Sequence, residues 1–396
     1  MTARLSTERL GRLHDVVAGH VARRDVPGAV TLVARADEVH VDTVGTADLG
    51  GAQPLRRDAI FRIASLTKPV VAAATMLLVE DGRLRLDEAV DRLLPELAGR
   101  RVLRRPDAAL DDTVPARRPI SVRDLLTLRM GFGYIMDPGE HPVLRAAQER
   151  ELGMGPPKPA TPHAPDAWLR RFAELPLIHQ PGEHWMYELG FAVLGVLLAR
   201  AAGQPLEAFL RERLFAPLGM ADTAFGVPDP KLRRLTTCYV TAADHDGLVL
   251  YDGVEDSQWR HAPVFPDATG GLVSTVDDYL AFARMLLHGG VHGGERILST
   301  RSVAAMTTNQ LLPAQHASAS ARAFLDGSGW GFGLAVDRDG VTGPRYGWGG
   351  GLGTSWYTYP EHGLIAMLMT QRLPPSTALF EDFWASIDRI AADRSG

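Results

Sequence analysis

Apolar and polar positions change period several times along the chain. The opening stretch, MTARLSTERLGRLHDVVAGHVARRD, has the spacing of an amphipathic helix laced with arginines and acids. GAVTLVARADEVHVDTVG, from Gly28, alternates β-formers about Ala36-Asp37 and predicts a hairpin. SLTKPVVAAATMLLVEDG returns to helical spacing and stops at Gly82. Pro69 falls in its first turn, where the amide it removes is least missed. From about 85 to 255 the pattern is mainly helices and long loops: SVRDLLTLRMG, DAWLRRFAEL, FAVLGVLLARAAG and PLEAFLRERLF. GGLVSTVDDYLAFARMLLHGG then reads as a strand-to-helix passage capped by Ser274 or Thr275. Three strand-like runs follow, GWGFGLAV, RYGWGGGLGTSWYTYP and GLIAMLMTQ, with a turn at Pro360–Gly363, and ALFEDFWASIDRIAAD closes as a helix.

Strands at both ends with helices between predict an α+β fold, an antiparallel sheet flanked by N- and C-terminal helices and interrupted by an inserted helical domain. The expected division is 1–84 with 256–396 for the sheet domain and 85–255 for the helical one, the active site lying between them. The stretch 244–265 reads either as a hairpin bordering the site or as a segment that only packs against the sheet, and the proline-rich 155–165 as a loop or linker.

Composition narrows the function classes. The net charge of -5 gives no electrostatic reason to expect nucleic acid or an anionic membrane. The longest apolar run, 189–199, is too short to cross a bilayer and reads as a buried helix. The opening helix lacks the apolar core of a secretory signal, so a cytoplasmic protein is expected. Cys238 is the single cysteine and reads as a buried structural thiol, so no intramolecular disulfide forms. The histidines show no metal-ligand spacing, and no metal or cofactor is expected.

Of 42 basic residues only Lys68, Lys158 and Lys231 are lysine. A position needing only charge would have taken arginine, which cannot lose its proton, whereas a desolvated lysine can serve as a base. Ser65 lies three residues before Lys68, on the same helical face. A serine hydroxyl needs a base to become a nucleophile. That chemistry asks in addition for a tyrosine to share the proton and for a glycine-rich strand edge to supply an oxyanion N–H. The G-x-S-x-G signature of α/β-hydrolases is absent.

SLTK at 65–68, PGEHWMYELGFAVLG at 181–195, GGLVSTVDDYLAFARMLLHGG from 270, and YGWGGGLGTSWY at 346–357 occur in a telling order. It resembles the serine β-lactamase-like superfamily, which includes class C β-lactamases, D-stereospecific peptidases, family VIII carboxylesterases and a fungal statin-type acyltransferase. The resemblance implies Ser65 as the acylated nucleophile with Lys68 and Tyr187 sharing proton transfer. It implies Trp348, Gly349 and Gly350 as the strand motif beside the site, and the backbone N–H groups of Ser65 and Gly351 as the oxyanion donors.

Two departures redirect the substrate. Lactamases and peptidases of this group usually carry Tyr-x-Asn, and here the triplet is Tyr187-Glu188-Leu189. They commonly carry Lys-Thr-Gly, and here it is Trp348-Gly349-Gly350. Losing both polar handles weakens recognition of β-lactams and D-Ala termini, whereas an apolar wall with Leu189 and Tyr134 suits an ester. The pattern is most like family VIII carboxylesterases. The reading is a serine carboxylesterase for short-to-medium acyl esters. The alternatives are an acyltransferase, a weak β-lactamase or D-peptidase, and an acyl- or penicillin-binding protein without turnover. The oligomeric state is not legible. Glu188 is expected to point away from Lys68, since an inward carboxylate would raise the lysine's pKa.

Overall fold

Strand Gly28–Arg35 has every residue buried, which an alternating amphipathic strand would not. Both of its faces are covered, and its side chains divide between two cores. The computed structural model describes residues 4–392 except 52, 157–158, 243–246, 338–339 and 341. Seven helices organise the site and its support: α1 (Thr7–Ala22), α2 (Thr67–Glu80), α3 (Val122–Leu126), α4 (Gly190–Ala202), α5 (Val276–Leu287), α6 (Ala319–Leu325) and α7 (Thr377–Ala391). The main sheet has seven strands: β1 (Gly28–Arg35), β2 (Glu38–Gly45), β3 (Gly329–Trp330), β4 (Ala335–Asp337), β5 (Arg345–Gly350), β6 (Thr354–Tyr359) and β7 (Leu364–Met369).

The strand order is β3-β4-β5-β6-β7-β1-β2, all neighbours antiparallel. β1 lies beside β7 with Val30 opposite Met369 and Leu32 opposite Met367. Ala29 and Val33 of β1 join Leu13 and Val17 of α1 and Phe383 and Ile387 of α7 in one core. Val30, Leu32 and Ala34 turn the other way, into the larger core with Phe282 of α5 and the apolar body of α2. The expected α+β arrangement, a sheet flanked by the first and last helices, is the one observed. Ser6 and Ser376 cap those helices, accepting from Arg9 N–H and Leu379 N–H.

Two runs read as single strands are each split. GWGFGLAV breaks into β3 and β4, and RYGWGGGLGTSWYTYP folds back on itself as the hairpin β5–β6. The reason lies in Gly351-Leu352-Gly353, whose last glycine takes φ +91° and lets the chain reverse without a Cβ penalty. The cap before α5 is Thr275, whose hydroxyl accepts from Asp278 N–H. Of the stretch read as a hairpin, 244–246 lie outside the described residues. The strand Leu248–Asp252 pairs backwards with Cys238–Thr241, which in turn runs parallel to Arg372–Leu373, and Gln258–Arg260 is a 3-10 turn. The pairing therefore lies with the preceding strand, not within the stretch. Cys238 is buried there, and burial pushes its thiol up to about 11. Residues 189–199 form the buried helix expected, α4. Among the described residues no single helix is long and apolar enough to cross a membrane.

Candidate active site

Ser65 sits on a 3-10 turn, Ala64–Leu66, one step before α2 begins at Thr67. The preceding Ala64 takes φ +45°, a left-handed conformation that a non-glycine residue adopts only where its surroundings hold it. They do so from three directions. Ile63 N–H donates to Leu272 O (3.0 Å), Tyr279 OH from α5 donates to Leu66 O (2.9 Å), and Thr354 Oγ1 from β6 donates to Ile63 O (3.0 Å). Gly350 of β5 lies so close to Ile63 O and Thr354 Oγ1 that no Cβ fits. The turn end of the β5–β6 hairpin is thereby fixed against the turn that carries the serine.

Lys68 is fully buried on α2. Its ammonium donates to Ser65 Oγ (2.9 Å), to Thr269 O (2.7 Å) and to Glu188 Oε2 (3.0 Å). Tyr187, also buried, donates its hydroxyl to Ser65 Oγ at 2.6 Å and accepts from Trp348 Nε1–H at 3.0 Å. The Lys68 Nζ stands 4.4 Å from the centre of the Tyr187 ring, within cation–π reach. Phe324 of α6 stacks on this ring with centroids 4.6 Å apart, and Trp185 stacks on it at 5.7 Å. The three residues singled out for chemistry thus converge on one hydroxyl oxygen.

The orientation of Glu188 is a correction. Alternation along an extended chain would put it opposite Tyr187, but residues 184–188 are irregular coil leading into α4, where that rule has no hold. Both side chains turn to Lys68. Burial alone would push the lysine down, yet the charges and hydrogen bonds of Tyr187 and Glu188 outweigh it and leave its pKa raised above the ordinary value.

The remaining candidates fall around this centre in different ways. Trp348 is buried on β5 with its indole N–H on the Tyr187 oxygen and its ring edge-on to Trp330 at 4.8 Å. Gly349 and Gly350 continue that strand, and Gly351 follows at its end. Tyr134 donates to Glu188 Oε1 (3.1 Å) and accepts from Gly155 N–H (3.1 Å), so it braces the carboxylate. Leu189 is buried at the start of α4, as part of the main core. The sequence reading missed Glu188 as an inward group, Thr269 and Phe324. Only Glu188, beside Tyr187, carried a signal that could have been weighed further. Asp267 lies on the same side, its carboxylate held by Thr269 N–H (2.8 Å) and Oγ1–H (2.7 Å) and pushed up by burial. Among the described residues no group of three or more His, Cys, Asp or Glu is placed to hold a metal ion.

The chain is similar to known proteins along most of its length. Protein Rv1367c of Mycobacterium tuberculosis is 38% identical over 358 residues, 88% of this chain and 86% of that protein. Esterase EstB of Burkholderia gladioli is 32% identical over 393 residues, 91% of this chain and 89% of its own length. The solved structure of EstCE1, described as a hydrolase with promiscuous acyltransferase activity, superposes with a TM-score of 0.78 at 26% identity, covering 96% of this chain and 98% of that one. The model of the family described as Beta-lactamase matches residues 13–388, and the chain belongs to that family.

Proposed function

We propose that this chain is a serine carboxylesterase working through an acyl-enzyme on Ser65, in a site between the sheet region (1–84 and 256–396) and the helical region (85–255). The observation that carries the reading is the single oxygen, Ser65 Oγ, within hydrogen-bond reach of both Lys68 Nζ and Tyr187 OH. A nucleophile with two proton-handling neighbours is the arrangement that acyl transfer requires. As Oγ bonds to the ester carbonyl carbon, its proton passes to the Lys68/Tyr187 pair, which is then one proton richer. The pair returns that proton to the departing alkoxide as the C–O bond breaks, leaving acyl-Ser65 and free alcohol. Water repeats the sequence: its proton goes to the pair, its oxygen to the acyl carbon, and the proton returns to Oγ as the acid leaves. The N–H groups of Ser65 and Gly351 are assigned to the oxyanion, where each donor contributes about 100-fold or more to rate.

The substrate class follows from what the wall lacks. Leu189 and Trp348-Gly349 offer neither the amide nor the cation and hydroxyl that a lactam or D-peptide would engage. The likeness to Esterase EstB supports the same choice. Transfer of the acyl group to an alcohol other than water is the second reading, favoured by the likeness to EstCE1.

The test is steady-state turnover of p-nitrophenyl acetate and butyrate beside nitrocefin, with Ser65→Ala as control. Ester turnover that vanishes in the variant, with little nitrocefin hydrolysis, is the expected result. Nitrocefin as the faster substrate, or an active Ser65→Ala protein, would overturn it. Adding a short alcohol and measuring the ester formed divides hydrolysis from transfer.

A further inference from the structure

Three acceptors surround the Lys68 nitrogen: Ser65 Oγ, the Thr269 carbonyl and the Glu188 carboxylate. The last two can only accept. An ammonium has one hydrogen for each; a neutral amine would give its two to the carbonyl and the carboxylate and accept from the Ser65 hydroxyl, so it is the negative charge of Glu188 at 3.0 Å that favours the charged form. Glu188 is itself fixed, because its second oxygen receives the Tyr134 hydroxyl, which in turn is held by Gly155 N–H. A chain of contacts therefore runs from the loop at Gly155 through Tyr134 and Glu188 to the lysine and the serine.

Resting on the reading of Ser65 as nucleophile, we propose that Glu188 is a positioning residue that locks Lys68 as an ammonium ion and so leaves the Ser65 proton to Tyr187. An unperturbed ammonium and an unperturbed phenol give up a proton at nearly the same pH, about 10. Without a further charge the two would be close rivals for the role of base. A carboxylate hydrogen-bonded to one of them breaks the tie in favour of its charged form. Passing the lysine proton to Glu188 instead would be uphill by a factor of about a million for unperturbed groups, against about a thousand for ionising a phenol at pH 7. In the step itself, the phenolate of Tyr187 takes the Ser65 proton while Oγ bonds to the acyl carbon. The phenol then gives that proton to the leaving alkoxide, and Lys68 keeps its three hydrogens throughout.

The charged and titratable groups facing Lys68 are few. Tyr187 and Glu188 come from the segment before α4, and Tyr134 reaches it through Glu188. Asp267 comes from the loop carrying Thr269, with both carboxylate oxygens engaged by Thr269. Among the described residues Glu188 is the one acid in direct contact with the ammonium.

The test is the rate at which a fluorophosphonate labels Ser65, followed by intact mass from pH 5 to 10, for the wild type, Glu188→Gln and Glu188→Asp. Labelling reads nucleophile activation without depending on deacylation. Removing one negative charge makes the Lys68/Tyr187 pair lose its proton more easily, so the acid limb of the glutamine variant moves down by about one pH unit. The aspartate variant keeps the charge and keeps the wild-type limb, even where its plateau rate falls. Glu188→Ala gives the same downward shift should the glutamine variant not fold. A limb that stays in place in the uncharged variants, or moves upward, overturns the proposal. Absence of Ser65 labelling in the wild type overturns the site reading and this inference together, whereas labelling with an unmoved limb overturns this inference alone.

Discussion

Replacing Lys68 by methionine removes the cation that Glu188 is built around, while a side chain of similar length still fills the space. Lys68 is fully buried and the Glu188 side chain is 12% exposed, so the carboxylate is left largely without water or a partner. Removing one member of a buried pair costs about 3–5 kcal/mol. A second route gives the same ceiling: protonating an unperturbed glutamate at pH 8 costs about 5 kcal/mol. With an unfolding entropy of about 2.1 cal/mol/K per residue, the 396 residues give a melting-point loss of about 4–6 °C. Thermal unfolding followed by tryptophan fluorescence at pH 8 measures it. Lys68→Met with Glu188→Gln, in which no charge is left unpaired and the Tyr134 contact survives, regains most of the stability and none of the activity. A double variant as unstable as Lys68→Met alone would refute the assignment of the loss to the stranded carboxylate.

Two further expectations concern neighbouring contacts. Trp348→Phe keeps a ring on β5 but withdraws the N–H from the Tyr187 oxygen, a contact of 3.0 Å; a loss of roughly 1–1.5 kcal/mol lowers kcat/KM on p-nitrophenyl butyrate about tenfold, and a change within twofold would count against a role for that bond. His179 lies with its ring 4.0 Å from that of His184, and burial first, then the neighbouring histidine, lowers its pKa to about 4. Between that value and an unfolded value of about 6.5 the unfolded chain binds the extra proton, so acidification across this window costs up to about 3 kcal/mol. His179→Asn flattens the loss, and denaturation midpoints at pH 7 and pH 4.5 falling in parallel for both proteins would contradict it.

The fold was legible where the pattern reports burial on its own. The first and last helices, the hairpin at Ala36-Asp37 and the buried α4 follow from periodicity and turn residues, and the observed elements lie where those signals put them. The splitting of RYGWGGGLGTSWYTYP into β5 and β6 was not read, because glycines serve equally as flat strand residues and as a reversal. The pairing of Cys238–Thr241 with Arg372–Leu373 spans more than a hundred residues and leaves no local trace. At the site, residue types and order pointed to Ser65, Lys68 and Tyr187, and the structure brings them together. The inward Glu188 was missed because it was judged by what its charge would do to Lys68, whereas the irregular coil before α4 turns both it and Tyr187 toward the lysine. Thr269 contributes a backbone carbonyl, which any residue has, so no side-chain pattern could have shown it.

The placement of β1 between β7 and β2 has a consequence for how the protein is made. Val30 finds its partner in Met369, and the turn bearing Ser65 is tied by Ile63 O to Thr354. During synthesis the opening hairpin emerges hundreds of residues before the strand that completes it, and β1 waits with one hydrogen-bonding edge bare. Such long-range pairing folds slowly and exposes an apolar strand in the interval. The nascent chain thus carries Ser65 early and gains last the β5–β6 hairpin that packs against its turn.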